Sequence, residues 1–279
     1  MPLAEGELKE KRLSETGVTR DLLESLKRGE QPEATAPNRG KKKGVTDYPI
    51  LEFDERALNL LHEGVRETLK HSTVKPAGGK VYEFSKRAFD IVASALALTA
   101  LAVPLGVIAL IIYIDDKGNP FFSQVRLTKE GKPFRMYKLR TMCMDAEKRF
   151  AEVQKANQSD GLAFKSDEDP RITRIGRTLR KLSLDELPQL LNTLRGDMSI
   201  IGPRPPLPRE VVLYTPEQMD RLLVKGGLSC ICQTEGRSDM EFDKWVEGDV
   251  RYIKTRSVGL DLKLMIKTVI AVVQRKGAK

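Results

Sequence analysis

The pattern of apolar and polar positions divides the chain into unlike parts. Residues 1–80 are polar and rich in turn formers, and "PEATAPNRGKKKG", Pro32 to Gly44, reads as a flexible basic linker. Helical spacing appears on either side of it, in Arg20 to Gly29 and in Glu55 to His71, where Leu58, Leu61 and Val65 recur on one face. His62 on that second helix reads as a surface or packing residue. The composition then changes abruptly, because Ile91 to Ile114 carries no charged residue. As a helix these about 24 residues reach about 36 Å, enough for a hydrocarbon core of about 30 Å. A soluble helix of that length shows a polar face, so this stretch is read as a membrane segment. Pro104, near its middle, removes a backbone donor and crowds the preceding turn, which predicts a kink or break there.

Beyond the membrane segment the period shortens. Pro120 to Met142 reads as two short strands rich in Phe, Val and Tyr around a Lys-Glu-Gly-Lys turn, a hairpin. Asp169 to Ser183 returns to helical spacing. Arg171, Arg174, Arg177 and Arg180 spread over one broad face and Ile172, Ile175, Leu179 and Leu182 gather on the other. A basic face of this kind suits lipid head groups or substrate phosphates, and equally a solvated helix surface. The tail "GLDLKLMIKTVIAVVQRKGAK" is amphipathic as well. Lys263 and Lys267 share one face while Leu262, Met265, Ile266, Val269 and Val273 cover another, which fits a helix lying in the membrane interface or one packed on the protein.

Charge and cysteine usage narrow the class without deciding it. A net charge of +9 points to an acidic partner. Nucleic acid fits poorly, since the basic segments lack interleaved aromatics for base stacking. Cys143, Cys230 and Cys232 are too few for a disulfide framework, and no second Cys or His cluster stands near the C-x-C pair to complete a metal site. Around the membrane segment the positive charges tie: Lys75, Lys80, Lys86 and Arg87 before it, Lys117, Arg126, Lys129 and Lys132 after it. Such a tie favours a re-entrant hairpin with both ends on one face, although a proline kink also occurs in true spans.

The residues most suited to chemistry are Asp185 and Glu186. Ser183 and Glu186 fit a capping box, which would give Glu186 a purely structural task. Pro188 suits the first turn of a helix whose buried stripe is Leu187, Leu190, Leu191 and Leu194 and whose end is Gly196. At the positive end of that helix dipole the carboxylates are expected to be ionised, ready as a nucleophile or metal ligand. "GPRPPLP", Gly202 to Pro208, forms neither helix nor inner strand in this reading. Its prolines hold Arg204 on a stiff extended backbone, where a planar, permanently charged guanidinium grips a phosphate at low entropic cost.

Together "KRAFDI", "PFFSQVR", "YKLRTM", "DPRITRIGRTLRKLSLDELPQLLNTLRGDMSIIGPRP" and "QTEGR" occur in an order that resembles the bacterial sugar transferase family, the monotopic phosphoglycosyl transferases, from about Ser85 to Lys279. The resemblance implies an α+β membrane-associated monotopic fold, with a re-entrant helix at residues 91–114, a catalytic region at 115–279 and interfacial helices, on the cytoplasmic face of a bacterial inner membrane. Residues 1–80 form an extension outside that transferase domain of 81–279. It further implies that Asp185 and Glu186 act with Mg²⁺ on a UDP-sugar. Asp185 attacks the phosphate that carries the sugar, UMP leaves, and the phosphosugar passes to polyprenyl (undecaprenyl) phosphate. By position Arg204 is similar to the family's phosphate-binding arginine and Lys138 to its active-site lysine, with Arg140 of the same motif a further candidate phosphate ligand. Membrane lipids are expected partners, nucleic acid is not, and a homodimer fits the reading.

"KGGLSCICQTEGR", Lys225 to Arg237, departs from the Pro-Gly-Leu-Thr-Gly run usual in the family, which bears on the donor site. Two other classes stay open at this level: a membrane-tethered scaffold that holds anions on its basic face, and a glycosyltransferase that releases UDP.

Overall fold

The computed structural model describes residues 53, 55–146, 169–212, 214–231 and 242–273. The architecture is α+β, with two small two-stranded sheets among the helices. The basic linker, the Arg20 to Gly29 helix, Cys232 and the QTEGR motif lie outside the described residues.

Helix α1, Glu55–Lys70, buries Leu61, Val65 and Leu69, the face its spacing predicts. These side chains join Leu127, Val211, Tyr214 and Leu222 in one core cluster, so apolar burial runs across the compositional boundary at residue 80. His62 packs beside it, its Nδ1 2.8 Å from the Glu130 carbonyl oxygen. Helix α2, Lys80–Asp116, spans 37 residues and among the described residues is the one helix long and apolar enough to cross a membrane. It runs through Pro104 without interruption, so the predicted break does not occur as a gap in the helix. A proline removes one donor from the ladder, and the flanking turns carry the helix past it.

Both halves of α2 are fastened to the same body. In the first half Arg87 donates to the carbonyls of Thr193 (2.7 Å) and Leu194 (2.8 Å), and the Ile200 N–H donates to Asp90 (3.0 Å). One carboxylate, Asp261, accepts from Tyr82 (2.9 Å), Lys86 (2.7 Å) and Tyr252 (2.8 Å). In the second half Ile112 packs with Leu139 and Leu179. Between these anchors Leu96, Val103 and Val107 stay exposed. An apolar surface left open in this way belongs in lipid or against a partner.

The hairpin forms as its alternation predicts. Strands β1, Phe121–Leu127, and β2, Pro133–Leu139, are antiparallel, with Phe121 opposite Leu139 and Leu127 opposite Pro133. Helix α3, Arg174–Lys181, is shorter than the spacing of its arginines suggested. Arg171 lies before it and forms a buried pair with Asp169 at 2.7 Å. Gly176 lets α3 come down on the hairpin exit, because a Cβ there would collide with the Thr141 carbonyl oxygen.

Helix α4, Gln189–Arg195, ends at Gly196, whose φ of 91° supplies the left-handed cap. Its buried face keeps only Leu190 of the predicted leucine stripe. Gln189, Leu190, Asn192 and Thr193 are buried, while Leu187, Leu191 and Leu194 are only partly so. Hydrogen bonding drives this inversion. Asn192 accepts from the Tyr137 N–H (3.0 Å) and donates to the Arg135 carbonyl (2.7 Å), so its amide closes the open edge of β2 as another strand would.

Strands β3, Ser199–Ile201, and β4, Gly227–Ser229, pair in parallel, with the proline loop leaving from the end of β3. Pro208 opens a one-turn helix, α5, Pro208–Val211, so the stiff loop ends one residue sooner than expected. After α6, Pro216–Met219, the chain closes with α7, Phe242–Thr255, and α8, Val258–Val273. Helix α8 packs on the protein through one face, the second of its two predicted uses. Leu264 is buried with Ile253 and Tyr252, while Leu262, Ile266, Val269 and Ile270 form an exposed apolar ridge.

Candidate active site

The acid pair occupies a single 3₁₀ turn, Leu184–Glu186, between α3 and α4. Ser183 enters it at φ 54° and makes no side-chain cap, so the capping box predicted for Glu186 does not form. Glu186 instead receives the Lys138 ammonium at 2.8 Å. The hairpin presents that lysine. Lys138 is the next residue after Tyr137, whose backbone Asn192 holds, so one buried amide sets the distance between the strand and the acid turn.

The two carboxylates differ in environment. Asp185 is 7% exposed. Burial pushes its pKa up; the Lys138 and Arg180 charges oppose the rise and Glu186 adds to it. The helix dipole was expected to favour ionisation, but water exclusion dominates at this position. Burial also acts to raise Glu186, yet the Lys138 charge and hydrogen bond, with Arg204 and Arg126, hold it below the usual carboxylate range. The result is a poorly solvated acid beside a firmly ionised one, the division of roles that acid pairs in enzymes exploit.

Arg126 is a site residue that the spacing of the sequence does not single out. It sits in β1 between Val125 and Leu127, 5% exposed, and donates to Pro205 O (3.0 Å) and Gln124 Oε1 (2.9 Å). Burial brings its pKa down to about 10, with the Arg204 charge acting the same way. Its placement ties the hairpin to the proline loop. No signal in the spacing marked it, because alternation puts Arg126 on the face opposite Val125 and Leu127, the face expected to be polar.

Arg204 is the exposed residue among buried prolines, with Pro203, Pro205 and Pro206 packed inward around it. Its guanidinium lies over the Trp245 ring at 5.6 Å. Arg180 donates to Thr141 Oγ1 at 2.9 Å and contributes positive charge near both carboxylates. Arg140 goes elsewhere. Its guanidinium is buried against Asp116, 3.4 Å from Oδ2, and anchors the end of α2. Pro104 is exposed and distant in sequence from any of these groups. The structure thus gathers Lys138, Asp185, Glu186 and Arg204, adds Arg126 and Arg180, and sets Arg140 at the end of α2.

Two carboxylates and no third acidic, His or Cys ligand meet here; among the described residues no group of three or more such side chains could hold a metal. That donor set suits Mg²⁺, which binds through one or two carboxylates and leaves the remaining positions to water and substrate phosphate. It does not suit zinc, which demands a fuller protein shell.

An acid pair among cations, beside a helix of membrane length, suits an enzyme that handles an anionic substrate at a membrane surface. The chain belongs to the bacterial sugar transferase family, whose description matches residues 81–275. It is 41% identical over 238 residues to the galactosyl transferase CpsE of Streptococcus agalactiae, covering 82% of this chain and 53% of that protein. It is 36% identical over 209 residues to the exopolysaccharide production protein ExoY of Sinorhizobium fredii, covering 74% and 91% respectively. Against the undecaprenyl-phosphate galactose phosphotransferase of Salmonella typhimurium it is 38% identical over 200 residues, 70% of this chain and 42% of that one. The chain therefore matches most of ExoY but about half the length of the other two.

Proposed function

We propose that the protein transfers a sugar 1-phosphate from a UDP-sugar to polyprenyl (undecaprenyl) phosphate, releasing UMP, through a phosphosugar carried on Asp185. The observation that carries this reading is a buried carboxylate, Asp185, set beside an ion-paired one and flanked by cations that a donor diphosphate requires. Leu184, one residue before it, packs against the same Ile112, Leu139 and Leu179 cluster as Leu105 and Ile108 of α2, which supports a site close to the boundary where a lipid phosphate is presented.

Poor solvation makes the Asp185 oxygen the better nucleophile, and Lys138 keeps Glu186 ionised. In the first step that oxygen attacks the phosphorus bearing the sugar. The bond from this phosphorus to the UMP oxygen breaks, and UMP leaves with the electron pair. A phosphate oxygen of the polyprenyl acceptor then attacks the same phosphorus, the bond to Asp185 breaks, and the carboxylate is regenerated. Arg204 and Arg126 place positive charge where the phosphates must sit. Asp185 and Glu186 would hold Mg²⁺, which when bound screens the phosphate charge from the incoming carboxylate.

Re-entry of α2 from a cytoplasmic face is supported by the anchoring of both its halves to one body, with exposed apolar residues between. The apolar ridge of α8 fits the same membrane surface. Two relatives are named for galactose, so UDP-galactose is the first donor to assay. Purified protein, UDP-galactose, Mg²⁺ and undecaprenyl phosphate are expected to yield UMP. Without the lipid, labelled sugar should remain on the wild-type protein and not on Asp185→Asn. Release of UDP, or wild-type turnover by Asp185→Asn, overturns the mechanism. Cysteines introduced at Lys80 and Lys117 should both react with an impermeant reagent from one side only; labelling from opposite sides overturns re-entry.

A further inference from the structure

The two faces of β1 serve different neighbours. Arg126 reaches toward the acid pair, donating to the Pro205 carbonyl at 3.0 Å and contributing charge at Glu186. Leu127 points the other way, as strand alternation requires, and is fully buried in one cluster with Leu61, Val65 and Leu69 of α1. Its N–H donates to the Pro206 carbonyl at 3.0 Å, so two consecutive residues of β1 hold the loop that carries Arg204. Val211 and Tyr214, which follow that loop, belong to the same cluster.

Helix α1 also grips the turn that joins β1 to β2. The Glu130 carbonyl there can only accept, so the His62 Nδ1 at 2.8 Å carries a proton and donates it. Glu130 needs such a hold, because its φ of 59° is a left-handed conformation that costs any residue with a Cβ. At Gly131 the fit is close: an added Cβ would run into the Val65 side chain. Arg66 stands 3.7 Å from the Glu130 carboxylate, an exposed pair that adds little. The segment after α1 is fastened too, since Ala77 donates to the Ile253 carbonyl at 2.9 Å and accepts from Arg256 at 2.7 Å. Yet α1 lies outside residues 81–275, the stretch that matches the family, and the proposed transfer chemistry makes no use of it.

We propose that α1 is a working part of the transferase: His62 and Val65 are positioning residues that fix the hairpin turn and thereby aim Arg126 at the donor diphosphate. The inference rests on the proposed function for the identity of the donor, and on the contacts at Glu130 and Gly131 for the positioning. A guanidinium held in place before substrate arrives loses less freedom when it meets a phosphate, and a small displacement of it is felt in the rate. In the full-length protein His62→Leu removes the donor at similar volume, and Val65→Ala loosens the contact at Gly131. Each should lower kcat/KM for UDP-galactose about threefold to tenfold, assayed below the melting transition of each variant. His62→Asn keeps an N–H near the position of Nδ1 and should recover most of the loss. In an Arg126→Gln background the His62→Leu change should cost less than about 1.5-fold, because its effect travels through Arg126. Calorimetric titration with inorganic pyrophosphate, which carries the donor's diphosphate without base or sugar, should show weaker binding by His62→Leu than by wild type.

Wild-type kcat/KM in both α1 variants overturns the positioning role and leaves the transferase reading standing. Equal losses in the wild-type and Arg126→Gln backgrounds reduce α1 to packing and overturn it too. Weaker pyrophosphate binding by His62→Leu, in a protein whose wild type transfers no sugar phosphate, supports the positioning role while removing the proposed reaction. A wild type that neither binds pyrophosphate nor transfers sugar phosphate overturns both.

Discussion

Asn192 offers the sharpest test of how the fold holds its acid pair. Its side chain is completely buried and bridges three partners: the Tyr137 N–H at 3.0 Å, the Arg135 carbonyl at 2.7 Å and Asp197 Oδ2 at 3.2 Å. Asn192→Ala strips the edge of β2 of two backbone partners. Each buried group left unpaired costs about 1–3 kcal/mol. Arg135 is exposed, so water can reach part of this edge, and the lower half of the range applies: about 2–4 kcal/mol in all. For a protein of 279 residues this corresponds to a drop in melting temperature of about 5–10 °C. Asn192→Asp separates hydrogen bonding from volume. It keeps the acceptor for Tyr137, loses both donors, and sets a second carboxylate beside Asp197, so it should be destabilised to a similar degree at nearly equal size. Because the same amide fixes Lys138 against Glu186, both variants should also lose transfer activity at temperatures where they remain folded. Thermal unfolding in detergent, followed by circular dichroism alongside the UMP assay, measures both effects. If both variants melt within a degree of the wild type, the claim that Asn192 substitutes for a missing strand is wrong.

Three further outcomes follow from the same geometry. Lys138→Met removes the main force depressing Glu186 and one that depresses Asp185, so both carboxyl pKa values rise and the acid limb of the rate profile should move toward neutral pH; an unmoved limb in a kcat–pH series excludes the pairing as functional. The stability that ionised Glu186 contributes is present above its unfolded pKa and is lost as pH falls through the lower folded value, and in Lys138→Met that loss should begin at higher pH. Arg126→Gln releases the Pro205 carbonyl and withdraws charge from Glu186, and kcat/KM should fall about tenfold to a hundredfold, with an undiminished rate showing that the proline loop holds Arg204 unaided. Asp261→Asn takes from Lys86 its carboxylate partner in the knot that ties α2 to α8, leaving it the Tyr252 hydroxyl at 3.3 Å, and hydrogen exchange across residues 80–87 should accelerate severalfold; wild-type protection there would mean that Arg87 and Asp90 suffice to secure the helix.

Much of this was legible in one dimension because it depends on local periodicity. A charge-free run long enough for a bilayer, the two-residue alternation of the hairpin, and the apolar face of α1 each need only neighbours a few positions apart. The same holds for the stiffness of the loop carrying Arg204, since proline restricts its own backbone wherever it stands. Adjacent acids could likewise be singled out from the string of residues.

Tertiary structure alone decided what those groups touch. Glu186 exchanged a predicted capping task for an ion pair with a lysine 48 positions away. Asp185 was pushed against ionisation by burial, which no local dipole argument anticipates. A helix expected to bury four leucines buried one of them, Leu190, together with Asn192 and Thr193, because an unpaired strand edge needs hydrogen bonds more than it needs apolar cover. Arg140 and Arg126, alike as cations in a hairpin, parted: one closed on Asp116 at the end of the long apolar helix α2, the other on Pro205 behind the acid pair. Local pattern specifies elements, whereas charge and hydrogen-bond partners are chosen across the fold, where burial raises the cost of leaving any polar group alone.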